Sequence, residues 1–445
     1  MTHDIERADE RPDRAPDADP AGRVRGERRY RFLVAGYSLS SYGTFLNMVA
    51  LNLFVYETTG RALAMGLFMA VRLGSGFFAG LAAGGLLARF TAKSLMLWTN
   101  VAQAVVMLSL VFAPHGMRTA ALMAVSVVVG ACGTLFMVSL RSSIPEMVGD
   151  DRRSWANSLS ITGRSLAMVA GFASAGVVVS LVGYTAAFVV DMATFVVCAV
   201  TVALLPIAGG GEGKPGTGEG QRAGTGAGWW RMPGAFLASA AAPGLGLMVV
   251  LRGADALGSS SHNAALPVYS AGLDASRPAV FVSAFWCLWA LGNVVAQQSI
   301  QRYVKRGGHP VGARGFGYGT CLMSGAFILA FAGFPSAATA VIALVAGAAD
   351  GLTEVSYTSH LQTLPADSRG HAFGLSATVE NLGFGVGMIL VAAALDGHSP
   401  LTVVAWSHGV AIVIAVVFLI RVAGVRRRDG APAHRSGAER GGPVP

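Results

Sequence analysis

The chain has 445 residues, of which 53% are hydrophobic and only 13% are charged. Soluble proteins carry about 25% charged residues, so a chain this poor in charge cannot cover a soluble surface. Disordered chains are polar, and the same composition excludes them. The net charge of +9 fits a nucleic-acid-binding protein, a membrane-surface protein or the loops of a membrane protein. The positions of the basic residues must decide among these three classes.

Twelve apolar segments follow one another along the chain, and each is long enough for a bilayer span, which needs about 20 mostly apolar residues. The seventh is the most polar, because Arg252, Asp255 and a serine-rich run lie within it. The charged start of the chain is predicted to be a disordered tail and not a cleaved signal peptide. The predicted spans cover residues 32–56, 65–88, 94–114, 119–140, 155–182, 184–206, 243–270, 278–301, 314–334, 336–359, 373–395 and 401–423.

The basic residues alternate between the two sides that these spans define. With both termini on one side, 27 of the 33 Lys and Arg fall on that side, and only Arg61, Arg118 and Arg277 fall on the other. The remaining three, Arg72, Arg164 and Arg252, lie within spans. Lys and Arg concentrate in cytoplasmic loops, so the pattern predicts twelve spans with both termini in the cytoplasm. We expect a multi-pass protein of a bacterial cytoplasmic membrane, in contact with the lipid bilayer and without a nucleic-acid partner.

A glycine-rich stretch divides the spans into two groups of six and is predicted to be a flexible cytoplasmic linker. The predicted domains are a disordered cytoplasmic tail (1–31), an N-terminal six-helix bundle (32–206), the linker (207–233), a C-terminal six-helix bundle (234–423) and a disordered basic cytoplasmic tail (424–445).

The two groups of spans also resemble each other in sequence. Residues 151–166 and 367–382 share seven identities in 16 positions at a shift of 216, and Gly130-Ala131 matches Gly347-Ala348 at a shift of 217. Repeats with an even number of spans keep the same orientation, so the halves are expected to be related by an axis along the membrane normal. The predicted fold is an all-α integral membrane protein with twelve transmembrane helices in two six-helix repeats.

The chain resembles the major facilitator superfamily over residues 32–423. The loops RSSIPEMVGDDRRSWANSLS and LQTLPADSRGHAFGL are similar to those of its macrolide-efflux and siderophore-exporter (drug efflux) branch. The resemblance implies alternating access between two halves, a central cavity lined by spans 1, 4, 7 and 10, and export of a hydrophobic or amphipathic compound such as an antibiotic or secondary metabolite. The first span is also similar to that branch, at Gly36, Ser40, Gly43, Tyr56, Thr59 and Gly60.

Ionisable residues inside spans are costly to bury, so each is a candidate for function. Asp350 and Glu354 are one helical turn apart and share a face. Two carboxylates on one apolar face cannot both ionise cheaply, so one is expected to exchange protons near neutral pH. The pair therefore either couples transport to protons or forms a structural ion pair with a neighbouring arginine. The proton-coupling candidates are Asp350, Glu354, Glu380 and Asp255, although Asp255 and Arg252 are close enough on one helix to neutralise each other.

Arginine, asparagine and aromatic side chains provide candidates for a substrate cavity. Arg72 is suited to attract an anionic substrate or a carboxylate. Arg164 and Glu380 hold equivalent positions in the repeats, so they either pair across the halves as a gate or each have a local partner. Asp191 is expected close to the interface in a solvated or structural role. The cavity candidates are Arg72, Arg164, Asn47, Tyr42, Phe136 and Tyr357, and the gating-loop candidates are Asp151, Arg153, Asp367 and Arg369.

Motifs for other chemistries are missing from the sequence. It contains no GxxxxGK[ST], HExxH or GxSxG motif, and its four Cys lack CxxC spacing. We therefore expect no enzyme, no cofactor and no metal site, and a monomer whose partners are a small-molecule substrate and protons. The alternatives are an uptake permease or uniporter of the same fold and, from another class, a membrane-embedded sensor or enzyme.

Overall fold

The computed structural model describes residues 20–206, 245–309, 311–364 and 366–429, and all regular elements in these ranges are helices. Short 3-10 turns precede the fourth and fifth α-helices. The twelve α-helices are α1 (Pro20–Thr59), α2 (Ala62–Arg89), α3 (Ala92–Val111), α4 (Arg118–Val148), α5 (Arg153–Val182), α6 (Tyr184–Leu204), α7 (Leu245–Leu273), α8 (Pro278–Lys305), α9 (Ala313–Ala330), α10 (Ser336–Gln362), α11 (Ala366–Leu395) and α12 (Pro400–Asp429).

Nine of these helices are long and apolar enough to cross a membrane, namely α2–α6, α8 and α10–α12. The other three, α1, α7 and α9, are predicted spans with weaker apolar signals. In α7 the polar residues Arg252, Asp255, Ser260 and Ser261 are buried inside the protein. Polar side chains are tolerated in a membrane helix where it faces protein and not lipid. The low hydropathy of α7 therefore follows from its position within the C-terminal half.

The two halves use the same helix pairs. In the N-terminal half, α1 packs against α5 and α6, α2 against α4, and α3 against α4 and α6. In the C-terminal half, α7 packs against α11 and α12, α8 against α10, and α9 against α10 and α12. Adding six to each helix number converts the first set of pairs into the second. The packing therefore repeats as the sequence similarity between the halves predicts.

Matched glycines allow the closest helix approaches in both halves. A Cβ placed on Gly130 of α4 would lie 2.0 Å from the carbonyl oxygen of Arg72 on α2, and one on Gly347 of α10 would lie 1.9 Å from that of Trp289 on α8. Any larger residue would force the backbones apart, as is usual where small residues join membrane helices. The sequence repeat at a shift of 217 thus marks an equivalent packing contact.

The halves meet mainly through α2 with α11 and through α5 with α8, while α1 makes smaller contacts with α7 and α8, and α2 with α7. Gly66 of α2 lies against Met388 and Ala392 of α11. Phe172 of α5 stacks with Trp286 of α8, with ring centroids 5.9 Å apart. All five residues lie toward the helix ends that are distant from the start of α1 and the end of α12. We call the side with the start of α1 and the end of α12 the terminal side, and the halves are therefore held together on the opposite side.

The first helix is longer than the sequence predicts. Residues 20–31, predicted as part of a disordered tail, form the first turns of α1. Tyr30 in this extension is fully buried, and its hydroxyl oxygen lies 2.6 Å from that of Ser160 on α5. Hydrophobic packing and a hydrogen bond therefore hold a segment that its charge content alone marks as disordered.

The last helix also extends past its predicted end. It continues to Asp429 and takes in the first residues of the predicted tail 424–445. The predicted linker 207–233, the first residues of the predicted C-terminal bundle and the rest of both tails lie outside the described residues.

Candidate functional site

A buried arginine on α7 gathers carboxylates from three helices. The Arg252 guanidinium lies 3.4 Å from Oδ2 of Asp255 on the same helix, 2.8 Å from Oε2 of Glu354 on α10 and 3.0 Å from Oε2 of Glu380 on α11. It also lies over the ring of Tyr357, 5.1 Å from the centroid. The sequence pairs Arg252 with Asp255 alone, whereas the fold makes it the centre of a four-residue ionic cluster.

The three acids of this cluster differ in their access to solvent. The Asp255 side chain is buried, whereas those of Glu354 and Glu380 are 48% and 44% exposed. One guanidinium neutralises one carboxylate, so the cluster has two surplus negative charges when all its acids are ionised. Surplus charge is costly away from water. Either solvent at the two glutamates or a bound proton must therefore stabilise it.

Asp350 lies one turn from Glu354 and has a different partner. Its Oδ2 accepts a hydrogen bond of 2.7 Å from Nδ2 of Asn293 on α8. The Oδ1 of Asn293 accepts in turn from Gln297 at 2.8 Å. Of the two interpretations of the Asp350 and Glu354 pair, the ion pair with an arginine thus describes Glu354. Asp350 instead faces a chain of amide groups.

A cavity of about 590 Å³ lies between the two halves. Helices α2, α4 and α5 contribute to it from the N-terminal half, and α11 contributes Asn381. Two of the predicted cavity residues, Arg72 and Arg164, both line it. The remaining lining residues are Leu73, Gly76, Phe77, Gly80, Leu81, Val129, Gly130, Gly133 and Thr134.

The matched charges Arg164 and Glu380 do not pair in this conformation. The guanidinium of Arg164 lies 5.0 Å from the ring centroid of Phe45 on α1. Glu380 binds Arg252 within its own half. The interpretation in which each residue has a local partner therefore describes the structure, and the cross-half gate is not formed.

The structure gives the three aromatic cavity candidates local partners within their own halves. Phe136 is buried and stacks with Tyr37 in the core of the N-terminal half. Tyr357 is buried beneath Arg252 and beside Phe316. The hydroxyl of Tyr42 accepts a hydrogen bond of 3.0 Å from Ser174 on α5. The expectation that Phe136 and Tyr357 line a cavity is wrong, because their helix faces are turned into their own bundles.

Asn47 and Asp191 form a buried pair inside the N-terminal half. Nδ2 of Asn47 on α1 donates to Oδ2 of Asp191 on α6 at 2.6 Å, and both side chains are almost fully buried. Gly43, one turn before Asn47, allows this approach, because a Cβ there would lie 2.2 Å from the hydroxyl of Thr194. The prediction of Asn47 as a cavity residue is wrong, since α1 and α6 close over both side chains. Of the two roles expected for Asp191, solvated or structural, the structural one describes its position.

The gating-loop candidates lie at the start of α5 and of α11, on the terminal side. Arg369 donates through Nε and Nη2 to the carbonyl oxygen of Leu364, just after α10, at 3.2 and 3.0 Å. Arg152, which was not a candidate, pairs with Glu27 of α1 at 3.1 Å. The other candidates are Asp151, which is exposed, Arg153, which begins α5, and Asp367, whose side chain lies outside the described residues.

A buried histidine pair in the C-terminal half was missed by sequence reasoning. Nδ1 of His262 on α7 lies 3.1 Å from Nε2 of His408 on α12, whose Nδ1 lies 3.0 Å from the hydroxyl of Ser324 on α9. His262 also stacks on Phe327. Two nitrogen ligands make no metal site, and no group of three metal-binding side chains occurs among the described residues. The serine-rich stretch around His262 is the sequence signal for this polar core.

Both the sequence and the fold of this chain are similar to those of known proteins. A family model described as the Major Facilitator Superfamily matches residues 33–388. A search of curated proteins finds no match. Among solved structures, the nucleoside transporter NupG is similar with a TM-score of 0.66 at 15% identity, covering 89% of this chain and 99% of that one.

Two further solved structures have the same fold. The POT family transporter PepTSo gives a TM-score of 0.64 at 14% identity, covering 90% of this chain and 99% of that one. A bacterial homologue of the human lysosomal transporter Spinster, in an inward-facing conformation, gives 0.62 at 14% identity, covering 92% and 96%. Identities this low show the fold alone. With the family model matching most of its length, the chain belongs to the Major Facilitator Superfamily of multi-pass membrane transporters.

Proposed function

We propose that this protein is a proton-coupled secondary transporter that exports a hydrophobic or amphipathic small molecule by alternating access. The cluster around Arg252 carries the proposal. It holds three acids against one cation inside the membrane-spanning part of the fold, and two of the acids are about half exposed. A group of this kind changes its proton content when its access to water changes.

Coupling follows from the exposure of Glu354 and Glu380. In the present conformation solvent stabilises both carboxylates. When the halves rock and the terminal side closes, the glutamates lose that solvent, and Arg252 can neutralise only one acid. On the return step, when the exported compound has left, a surplus carboxylate must therefore hold a proton, because an unpaired buried charge costs several kcal/mol. Opening the other side to an acidic exterior loads the proton, and return to the terminal side releases it.

The contacts between the halves support this motion. The two largest inter-half contacts, α2 with α11 and α5 with α8, include residues on the side opposite the termini. Rigid-body rocking of two halves about a central site is how such transporters alternate access. The 27 basic residues on the terminal side support assigning that side to the cytoplasm of a bacterial cell membrane. In this proposal the structure represents the inward-facing state of a monomer.

The cargo and direction rest on the cavity and on the efflux-branch resemblance. A volume of about 590 Å³ is within the usual range for sites that hold drug-sized molecules. Most of its lining side chains are apolar or small. The similarity of the first span and of the two cytoplasmic loops to macrolide-efflux and siderophore exporters supports outward movement of an antibiotic or secondary metabolite.

Inverted membrane vesicles with an acidic lumen test the proposal. A compound identified by a resistance screen in an efflux-deficient host should accumulate in vesicles that contain the protein, and a protonophore should abolish the accumulation. Asp350→Asn, Glu354→Gln and Glu380→Gln should each reduce it. Glu57→Gln is the control, because Glu57 is exposed at the end of α1 opposite the terminal side.

Accumulation of the compound that is unchanged by the protonophore would contradict proton coupling. Equal accumulation by wild type and the Asp350→Asn/Glu354→Gln double variant would remove this pair from the coupling site.

A further inference from the structure

The cavity between the halves has charge of one sign. Its two ionisable lining residues are Arg72 from α2 and Arg164 from α5, and its other polar side chains are the neutral Thr134 and Asn381. No ion pair to either arginine occurs in the described part of the chain. Arginine within a membrane span is costly and is normally paired. A cavity with two such residues is therefore suited to a negatively charged guest.

The local contacts of the two arginines leave this positive charge in place. Arg164 stacks over Phe45, which orients the guanidinium without neutralising it. The acid that acts on Arg72 electrostatically is Asp191, which is buried and hydrogen-bonded to Asn47. Neither guanidinium makes a hydrogen bond or ion pair within the described part of the chain, and both arginines line the cavity. Their planar geometry matches carboxylate, sulfonate and phosphate oxygens.

The acids of the ionic cluster in the C-terminal half already contact an arginine of the same half. Glu380, which precedes Asn381 of the cavity lining by one position on α11, and Glu354 on α10 are both held by Arg252. The surplus negative charge of this cluster lies in the C-terminal half, whereas the two unpaired arginines lie in the N-terminal half. An anion between Arg72 and Arg164 would thus be bound by the positively charged N-terminal half and not by the C-terminal half.

We infer that the cavity binds an amphipathic organic anion. Its carboxylate, sulfonate or phosphate group would lie between Arg72 and Arg164, and its apolar body would pack on Leu73, Phe77 and Leu81. This inference rests on the proposed function and narrows its cargo from hydrophobic or amphipathic compounds in general to those with a negative charge.

Pairs of similar probes with opposite charge test whether the cavity prefers anions. The protein in lipid nanodiscs is titrated with fluorescein and rhodamine 123, which share a xanthene ring and differ in charge, and with 1-naphthoate and (1-naphthyl)methylammonium. Empty nanodiscs provide the background. At least one anion should bind about tenfold or more tightly than its cationic counterpart. Binding that is no tighter for either anion overturns the inference.

Substitution of the arginines tests the location. Arg72→Gln and Arg164→Gln should each weaken binding of the anion about tenfold or more, as expected for loss of a charge-assisted hydrogen bond. Arg72→Lys keeps the charge but loses the planar guanidinium, so it should weaken binding less than Arg72→Gln does. Arg118→Gln is a matched control, because Arg118 also lies over a phenylalanine, Phe54 at 5.9 Å, outside the cavity. Anion binding that survives the double Arg72→Gln/Arg164→Gln substitution overturns the inference.

The outcome separates the inference from the proposed function. In one outcome, anion binding depends on both arginines but the same anion does not accumulate in response to a proton gradient. This outcome would support the anion site and reject proton-coupled export. In the other outcome, uncharged compounds are exported in response to a proton gradient and anions bind no more tightly than cations. This outcome would support the proposed function and reject the anion site. If a glutamine variant does not fold, binding to Arg72→Lys and Arg164→Lys decides, because a ligand that needs the planar guanidinium should still bind more weakly to them.

Discussion

Nη2 of Arg252 lies 2.8 Å from Oε2 of Glu354, although the arginine side chain is 10% exposed and the glutamate side chain is 48% exposed. The contact joins a buried cation on α7 to a solvated anion on α10. Glu380 on α11 makes a similar contact at 3.0 Å. The arginine is thus the fixed member of the cluster, and the two glutamates are the members whose surroundings can change when the halves move.

Removal of this arginine should destabilise the C-terminal half. Arg252→Gln leaves the buried carboxylate of Asp255 without its cation, which we expect to cost about 2 kcal/mol after allowance for the two solvated partners. Adding Asp255→Asn should recover part of the loss. The measurement is thermal unfolding in detergent. Arg277→Gln, which breaks an exposed pair with Asp274, is the control and should have no measurable effect. An Arg252→Gln protein as stable as this control contradicts the prediction.

The glycine contact between α2 and α4 should tolerate no side chain. Gly130→Ala places a Cβ 2.0 Å from the carbonyl oxygen of Arg72, and such overpacking usually costs about 1–3 kcal/mol. Gly133→Ala, on the same helix with no atom within 4 Å of its Cβ, should be neutral or stabilising by about 0.5–1 kcal/mol. Unfolding curves of both variants give the comparison. Equal stability of the two would show that α2 and α4 are not packed as closely as described.

The Asn47 and Asp191 pair should behave as a unit. Asn47→Ala and Asp191→Ala each leave a buried polar group without its partner, at a cost of about 1–3 kcal/mol. Once one partner is gone, loss of the other should cost little. A double-mutant cycle should thus give a coupling of about 1 kcal/mol or more. Additive losses would mean that the two side chains do not depend on each other.

The contact between α5 and α8 should control opening of the side opposite the termini. The Ser283 hydroxyl accepts from the backbone N–H of Gly176 at 2.8 Å and donates to the carbonyl oxygen of Phe172. Ser283→Ala removes both bonds between the halves and should shift the population toward conformations open on that side. Spin labels at Arg61→Cys and Asp396→Cys, in a chain without its native cysteines, should then show a longer distance.

The control for this experiment is Ser276→Ala, which alters a serine in the loop between α7 and α8 and leaves the α5–α8 contact intact. An unchanged distance distribution in Ser283→Ala would show that Ser283 does not hold this side closed.

The helices and the two halves could be predicted from sequence because each span needs about 20 apolar residues and the charges alternate between sides. The partners of the polar residues could not. A membrane helix is apolar on both its lipid-facing and protein-facing sides. The sequence therefore does not show which face of the helix points into the protein. Arg252 contacts Glu354 and Glu380, which are 102 and 128 residues away in the sequence. Helical spacing along the sequence suggests only Asp255 as its partner.

The same limit explains the two errors in the N-terminal half. Phe136 and Asn47 lie on helices that the resemblance assigns to the cavity, but both face the interior of their own bundle. Arg72 and Arg164 could be identified because arginine within a span is rare enough to indicate function whatever its orientation. That Arg72 and Arg164 line the same cavity is seen only in the folded structure.

The most direct test of the account compares two transport modes in proteoliposomes that contain the wild type or Glu354→Gln/Glu380→Gln. One mode is accumulation of the exported compound driven by a pH gradient, and the other is its exchange across the membrane with no gradient. We expect the double variant to lose gradient-driven accumulation and to keep exchange, because the substrate still binds and the halves still rock while the proton sites are gone. Gradient-driven accumulation at the wild-type level in the double variant would contradict the central claim that the acids around Arg252 carry the proton.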